Sequence, residues 1–339
     1  MEPGATGAGE GAGVSDAPRV SVLIAAFNGE AFVGEALQSL RAQTFRAFEA
    51  IVVDDGSTDG TAALVARAAE SDSRFQLVRQ ANAGTQGARN AALARARGDW
   101  VALLDQDDVW LPAKLERQLA VADAHPRANL LFTNYRVWDG VHELEARYAR
   151  PDKVPAGDVA LALARSCLFQ ASTVMVPRAL AVTLCGFDTE LRNTGDWDLW
   201  LRVAERGIEV RGTFETLVRY RVWGGNESRD HVRTATERVL MLEKSARRPQ
   251  AAPLRAACER GLRHARAELQ LARAGRRLDD QGFVRASLRA ALGHDPAAKR
   301  LLEWLAVVWP APLGGRRTAA VVRAKLARKF GRTESPRTA

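Results

Sequence analysis

The run Val20-Ser21-Val22-Leu23-Ile24-Ala25-Ala26-Phe27-Asn28-Gly29-Glu30 decides how the rest of this chain is read. Its first seven residues are almost continuously apolar, as a strand buried on both faces should be. Ala31 to Arg41 then places Phe32, Ala36, Leu37 and Leu40 at helical spacing. The unit recurs downstream. Phe48 to Val53 is a second apolar run, closed by Asp54-Asp55-Gly56-Ser57, and Thr58 to Ala69 is an Ala/Val/Leu helix with Ser57 or Thr58 available as its N-cap. A strand at Phe75–Val78, a helix at Gln86–Ala96 and a strand at Trp100–Leu104 complete the series. This alternation predicts an α/β fold, a mostly parallel sheet flanked by helices.

In such sheets ligands bind beyond the carboxyl ends of the strands. Polar residues gather there three times: Phe27-Asn28-Gly29-Glu30, Asp54-Asp55-Gly56-Ser57 and Asp105-Gln106-Asp107-Asp108. Beyond Leu111-Pro112 the alternation weakens. A helix is expected at Lys114–Ala124, strands at Leu130–Tyr135, Ala171–Val176 and Leu217–Val222, and a helix at Trp197–Glu205. From about Val232 the chain is helical Ala/Arg/Leu sequence, punctuated by Pro249, Pro253, Gly261, Gly275 and Pro296. The expected organisation is a disordered leader over 1–17, a catalytic domain over 18–235 and a helical, basic C-terminal extension over 236–339.

Composition narrows the function classes. The 339 residues are 47% hydrophobic and 26% charged, which excludes wholesale disorder and fibrous repeats. The scattered Cys167, Cys185 and Cys258 make neither a disulfide framework nor a four-thiolate zinc site, and they suit a reducing, cytoplasmic compartment. Residues 1–240 carry 27 Lys and Arg against 32 Asp and Glu, whereas 241–339 carry 22 against 8. A slightly acidic body with a basic tail confines any anionic partner of that charge to the tail. No stretch reaches the roughly 18 apolar residues of a membrane span. Residues 1–17 lack the basic start and apolar core of a signal peptide.

Asp105-Gln106-Asp107-Asp108 is the most informative stretch. Three carboxylates in four residues repel one another. A divalent cation removes that penalty, and Mg²⁺ typically takes one or two carboxylates together with substrate phosphates. If the chain stays extended, Asp105 and Asp107 project to the same side. Asp54-Asp55-Gly56-Ser57-Thr58-Asp59 suits a turn and helix cap as well as it suits a carboxylate accepting from a nucleobase N–H or a ribose hydroxyl. Arg89, about one turn inside a helix that follows Asn82-Ala83-Gly84, is equally a solvated side chain or part of a site. Asp196, in Gly195-Asp196-Trp197-Asp198-Leu199-Trp200, is either an N-cap or a general base at a cleft edge.

Together these stretches resemble the family 2 glycosyltransferases, inverting enzymes of GT-A fold that use nucleotide-sugar donors. Val22 to Glu30 is similar to the family's first-strand motif and Val52 to Asp59 to its nucleobase-binding motif. Asn82, Gly84 and Ala88-Arg89-Asn90 match a third signature. Leu104-Asp105-Gln106-Asp107-Asp108 resembles the metal-binding Asp-x-Asp, and Gly195 to Arg202 the helix that supplies the base. The resemblance spans about Pro18 to Arg221 in matching order.

It implies that the backbone at Ala26, Phe27 and Asn28, with Glu30, lines a nucleoside pocket, that Asp55 faces the base and that Arg89 helps to hold it. It further implies Asp105 at the ribose, Asp107 on a divalent metal (Mg²⁺ or Mn²⁺) bridging the diphosphate, and Asp196 as catalytic base. The partners it implies are a nucleotide-diphosphate sugar and a glycan or lipid-linked acceptor in bacterial cell-surface polysaccharide or glycolipid synthesis. Two positions depart from the pattern. Ala25 stands where proline is usual, and Trp223 stands where many relatives carry a histidine able to approach the metal. A nucleotidyltransferase would want a Gly-rich, Lys/Arg-bearing phosphate loop after the first strand, which Phe27-Asn28-Gly29-Glu30 is not. A catalytically silent binding module is argued against by Asp105, Asp107 and Asp196 being present together.

Arg316, Arg317, Arg323, Lys325, Arg328, Lys329 and Arg332 follow an apolar stretch containing Trp304 and Trp309. This tail suits a helix lying on anionic headgroups at the inner face of the cytoplasmic membrane, or a helical cap with a solvated face. No nucleic-acid module accompanies the charge.

Overall fold

A computed structural model of the chain describes residues 17–207, 209–227, 230–275, 286–287, 290–291 and 293–294. The basic tail, and the leader up to residue 16, lie outside the described residues. The opening run is a strand with the expected bounds, β1 (Val20–Ala26), followed by α1 (Val33–Arg41), β2 (Phe48–Asp54), α2 (Thr61–Ser71), β3 (Phe75–Arg79), α3 (Gly84–Leu93) and β4 (Trp100–Leu103). Strand β1 lies between β2 and β4 and is parallel to both, with β3 parallel on the far side of β2. Each intervening helix is therefore a crossover between parallel strands.

The second half follows other rules. It comprises β5 (Val109–Trp110), α4 (Lys114–Ala124), β6 (Ala128–Trp138), β7 (Glu143–Ala146), α5 (Ala160–Leu163), β8 (Val174–Pro177), α6 (Arg178–Thr183), α7 (Gly195–Ala204) and β9 (Glu209–Arg221). The sheet order is β3-β2-β1-β4-β8-β6-β9-β5, with β7 beside β6. Strand β8 runs antiparallel to β4 and β6, β5 antiparallel to β9, and β7 antiparallel to β6. The sheet is thus parallel on the β1 side and mixed beyond β4, flanked by helices as the sequence leads one to expect. Here only the β6–β7 hairpin is a short antiparallel connection; β8 and β5 reach their antiparallel partners through long stretches of chain, and β9 runs parallel to β6.

Alternation along the buried strands feeds two cores. Val22 and Ile24 join an apolar layer with Leu37, Val65, Leu115 and Leu119. Leu23, Ile51 and Val53 face the opposite layer, with Ala88, Leu199 and Trp200. Chain beyond β9 belongs to this second layer. Helices α8 (His231–Arg247) and α9 (Ala252–Gly275) contribute Met241, Leu242, Leu254, Ala257 and Ala265 to it. Met241 and Leu242 are each 0% exposed, and burying such side chains contributes roughly 1.5–3 kcal/mol each. Helix α8 runs across the boundary expected at residue 235. No helix among the described residues is long and apolar enough to cross a membrane.

Candidate active site

The ends of β1, β2 and β4 open onto a cleft of about 840 Å³. Ala25, Ala26, Phe27 and Asn28 line it from β1, Asp55 from β2, Arg89 from α3, Asp105, Gln106 and Asp107 from the loop after β4, and Asp196 from α7. The structure therefore brings together every candidate site residue except Glu30. The Glu30 carboxylate instead accepts from the Gly60 N–H at 3.0 Å, just before α2. A Cβ on Gly60 would stand 2.3 Å from Glu30 Oε1, so the glycine leaves room for that contact.

The nucleoside-side loops are tied to one another. Asn28 adopts φ 45°, a left-handed conformation in which asparagine is enriched. Its Oδ1 accepts from Thr58 N–H at 2.9 Å, and its own N–H donates to Ser57 Oγ at 3.0 Å. Ser57 and Thr58 thus brace this loop rather than capping α2, whose N-cap is Gly60. Gln106 pairs with both backbone groups of Phe27: Phe27 N–H donates to Oε1 at 2.9 Å, and Nε2 donates to the Phe27 carbonyl at 3.1 Å. Asp55 is 2% exposed. It accepts from Gln80 Nε2 and Ala83 N–H on Oδ1 and from Gly84 N–H on Oδ2. Gly84, at φ +78°, starts α3 in a conformation that glycine alone adopts freely.

Residues 105–108 form a turn, closed by Asp108 N–H donating to the Asp105 carbonyl at 3.1 Å. The extended conformation expected here is absent, yet Asp105 and Asp107 both reach the cleft. Asp108 does not. It is fully buried, accepting from Ser172 Oγ and from the Arg221 N–H at 2.9 Å, and so holds β9 against the loop. Burial, then Asp105 and Asp107, push its carboxyl well above the usual carboxylate range.

Asp105 Oδ1 takes a 2.6 Å ion pair from Arg89 Nη2, and the guanidinium is almost fully buried. Asp107 Oδ2 accepts from Trp223 Nε1 at 2.7 Å and from Asn226 Nδ2 at 3.1 Å. Burial and the neighbouring Asp105 raise the Asp107 carboxyl, while the Trp223 bond lowers it. The Trp223 ring nitrogen carries its proton toward the carboxylate, so it donates and offers no lone pair to a metal. Among the described residues no three His, Cys, Asp or Glu side chains group to hold a cation.

Asp196 sits in the first turn of α7, where its Oδ1 accepts from Trp197 N–H at 2.8 Å. It is not the N-cap. Thr194 holds that position without a side-chain cap bond. The cap comes from α8. Glu237 accepts from Asn193 N–H at 2.6 Å, Thr194 N–H at 3.1 Å and Thr194 Oγ1 at 3.4 Å. Burial raises the Asp196 carboxyl, and Arg89 pulls it back down. Sequence reasoning missed Glu237, Asn226 and the Trp223 contact, because each partner lies far along the chain with no local pattern to mark it.

The comparisons with known proteins agree with this architecture. The sequence profile described as Glycosyl transferase family 2 matches residues 21–165. EpsE of Bacillus subtilis (strain 168), named as a glycosyltransferase, is 31% identical over 213 residues, covering 61% of this chain and 74% of that one. The Escherichia coli UDP-Glc:α-D-GlcNAc-diphosphoundecaprenol β-1,3-glucosyltransferase WfaP is 29% identical over 212 residues, 62% of this chain and 79% of that one. Among solved structures, the mannosyltransferase PcManGT of Pyrobaculum calidifontis in complex with GDP-Man and Mn²⁺ superposes with TM-score 0.59 at 23% identity, covering 91% of this chain and 85% of that chain. The fold is that of a GT-A glycosyltransferase. The chain belongs to glycosyl transferase family 2.

Proposed function

We propose that this chain transfers a sugar, with inversion, from a nucleoside-diphosphate donor to a hydroxyl of a lipid-linked glycan acceptor in cell-surface polysaccharide synthesis. The observation that carries this reading is the convergence of Asp105, Asp107 and Asp196 on one cleft with the β1 and β2 loops. The acceptor class is supported by the name of WfaP, which acts on a diphosphoundecaprenol-linked sugar.

In this reading Ala26, Phe27 and Asn28 line the nucleoside and Asp55 meets the base. Asp55 already accepts three hydrogen bonds, and an ionised carboxylate has about four lone-pair sites. One remaining acceptor suits the single ring N–H of uracil or thymine. Arg89 fixes Asp105 for the ribose, a charge-assisted contact already made at 2.6 Å. Glu30 supports this wall from outside it, through Gly60.

The donor set fits a divalent cation. Asp107 is a half-buried carboxylate raised by desolvation and then by the like charge of Asp105, and a cation sharing donor phosphates relieves that repulsion. Asp107 would hold it, with Trp223 and Asn226 fixing the carboxylate's orientation. When bound, Mg²⁺ or Mn²⁺ supplies charge neutralisation to the departing nucleoside diphosphate, and the Mn²⁺ in the PcManGT complex supports that requirement. Asp196, ionised, takes the proton from the acceptor hydroxyl as that oxygen attacks the anomeric carbon. Attack opposite the leaving group inverts configuration, and no glycosyl-enzyme intermediate forms.

The test is nucleoside diphosphate release by purified protein across UDP-, dTDP- and GDP-sugars with Mg²⁺ or Mn²⁺. Release from a uridine or thymidine donor, abolished by EDTA and by Asp107→Ala, supports the assignment. Release that survives both would overturn the metal role. Donor binding that occurs only without metal would overturn it as well.

A further inference from the structure

The cleft has two halves, set by sheet order. Ala25–Asn28 and Asp55 stand at the ends of β1 and β2, on one side of the Asp105–Asp107 loop after β4. Tyr135 on β6, Tyr220 on β9 and Arg147 just after β7 line the opposite side. With the nucleotide on the β1 side, this second half is left for the acceptor.

Three arginines line the cleft among the described residues. Arg89 is paired with Asp105 at 2.6 Å and Arg192 with Glu227 at 2.8 Å. Arg147 differs. Its side chain is exposed, its guanidinium lies over the Tyr148 ring at 5.7 Å from the centroid, and among the described residues it makes neither an ion pair nor a hydrogen bond. Arg147 N–H donates to the Tyr135 carbonyl at 2.9 Å, one step beyond the Arg136↔Ala146 register of the β6–β7 hairpin. The two residues are therefore directly opposed across the hairpin, and such cross-strand neighbours have Cβ atoms about 4.5–5.5 Å apart on one face. The Tyr135 ring is steadied edge-on by Tyr220, with centroids 5.9 Å apart. Its hydroxyl likewise has no hydrogen-bond partner among the described residues. Burial pushes the Tyr135 phenol up, so it stays a protonated donor, although Arg147 pulls the other way. Cys167 and Asp196 line the same cleft as Arg147.

We propose that Arg147 and Tyr135 form an anion-recognition pair that holds a phosphoryl group carried by the acceptor, a refinement that rests on the transferase reading above. A guanidinium fork presents only donors and the phenol O–H adds one more, and ionised phosphoryl oxygens accept. The fork matches phosphate geometry two bonds at a time. Two sources share this chemistry: a lipid-linked diphosphate and a soluble sugar phosphate.

The experiment is a binding titration of full-length protein with decyl diphosphate, glucose 1-phosphate and uncharged decyl glucoside. EDTA is present so that no metal-bridged binding at Asp107 contributes. At least one anionic probe should bind the wild type and weaken tenfold or more in Arg147→Ala, the scale of losing a charged hydrogen-bond partner. Arg147→Lys should recover part of that loss, because it restores charge without the fork, and Tyr135→Phe should weaken binding a few-fold. Decyl glucoside should not distinguish these variants. Tighter binding of decyl diphosphate assigns the phosphoryl group to a lipid, and tighter binding of glucose 1-phosphate assigns it to a soluble sugar. Neither anion binding the wild type, or both binding Arg147→Ala within twofold of it, overturns the proposal. Metal-dependent donor binding to the wild type is measured in parallel. If that persists while the anion effect is absent, only the anion pair fails, whereas absence of donor binding rejects the transferase reading itself.

Discussion

Glu237→Ala is the substitution that best probes how α7, the helix carrying the proposed base, is held. The side chain lies on α8, is 8% exposed, and supplies the only carboxylate cap at the start of α7 among the described residues. Its loss leaves the N–H groups of Asn193 and Thr194 without their acceptor. Removing an N-cap typically costs about 1–2 kcal/mol, and hydrogen bonds to charged groups contribute about 1.5–3 kcal/mol. Part of that is offset, because burial raises the Glu237 carboxyl despite the backbone bonds from Asn193, Thr194 and Arg192. A net loss of about 2–3 kcal/mol remains, or roughly 5–10 °C in Tm for a domain of this size. Asp196 lies two residues past Thr194, and misplacing a catalytic group by about 1 Å can cost on the order of a hundredfold. Calorimetry and steady-state turnover of Glu237→Ala should therefore show the Tm loss together with a kcat at least tenfold lower and a donor KM changed little. Glu237→Gln, which retains an acceptor oxygen, should recover about half of both. The sign with pH is also set. A carboxyl raised in the folded chain binds its proton there more tightly than in the unfolded chain, so its contribution declines as pH rises from 4.5 through the folded value. Glu237→Ala should lack that decline. A variant that melts within a degree of wild type with unchanged kcat would refute the reasoning.

Three further outcomes follow from the same geometry. Asp196 is raised by burial, so the acidic limb of the transfer rate should fall at a pH above the ordinary value of 3.8; Arg89→Gln, which removes the largest opposing charge, should move that limb higher still in a pH–kcat profile. Trp223→Phe removes the 2.7 Å bond that orients Asp107, and donor affinity with Mn²⁺ should weaken about fivefold by calorimetry, a loss of roughly 1 kcal/mol. Gly261 faces the Ala164 carbonyl so closely that a Cβ would stand 2.1 Å away; Gly261→Ala should lower stability by about 1–3 kcal/mol in chemical denaturation, even though alanine is the better helix former.

How much was legible depended on whether local sequence carried the signal. The bounds of β1 were readable to the residue, because a continuous apolar run leaves little choice, and α4 matched its expected bounds as well. Strand β9 was expected only from Leu217, yet it starts at Glu209. Arg211 to Glu215 buries little apolar surface, its Phe214 being 41% exposed, and pairing with β6 rather than burial keeps it extended. The expected strand at Ala171 begins as a 3-10 turn, Ala171–Thr173, with the Ser172 N–H tied to Gln170. The cleft residues were legible wherever they follow a strand end. The contacts that orient them were not. Trp223 and Asn226 reach Asp107 across 116 and 119 residues, and Glu237 reaches Asn193 across 44. No periodicity encodes such pairings: the sheet order β4-β8-β6-β9 brings Trp223 and Asn226 to Asp107, and α8 carries Glu237 to the start of α7.

In the proposed reaction Asp196 acts as base across the cleft from the donor held at Asp107. Its most direct test is a paired measurement on Asp196→Asn: nucleotide-sugar affinity by calorimetry, and transfer to acceptor in a single turnover. Asparagine keeps the shape and the acceptor for the Trp197 N–H but cannot take the proton. The account predicts donor affinity within a few-fold of wild type and transfer slowed by about 10²–10⁴-fold, the usual contribution of a positioned general base. Transfer at the wild-type rate would contradict it and would assign proton removal elsewhere in the cleft.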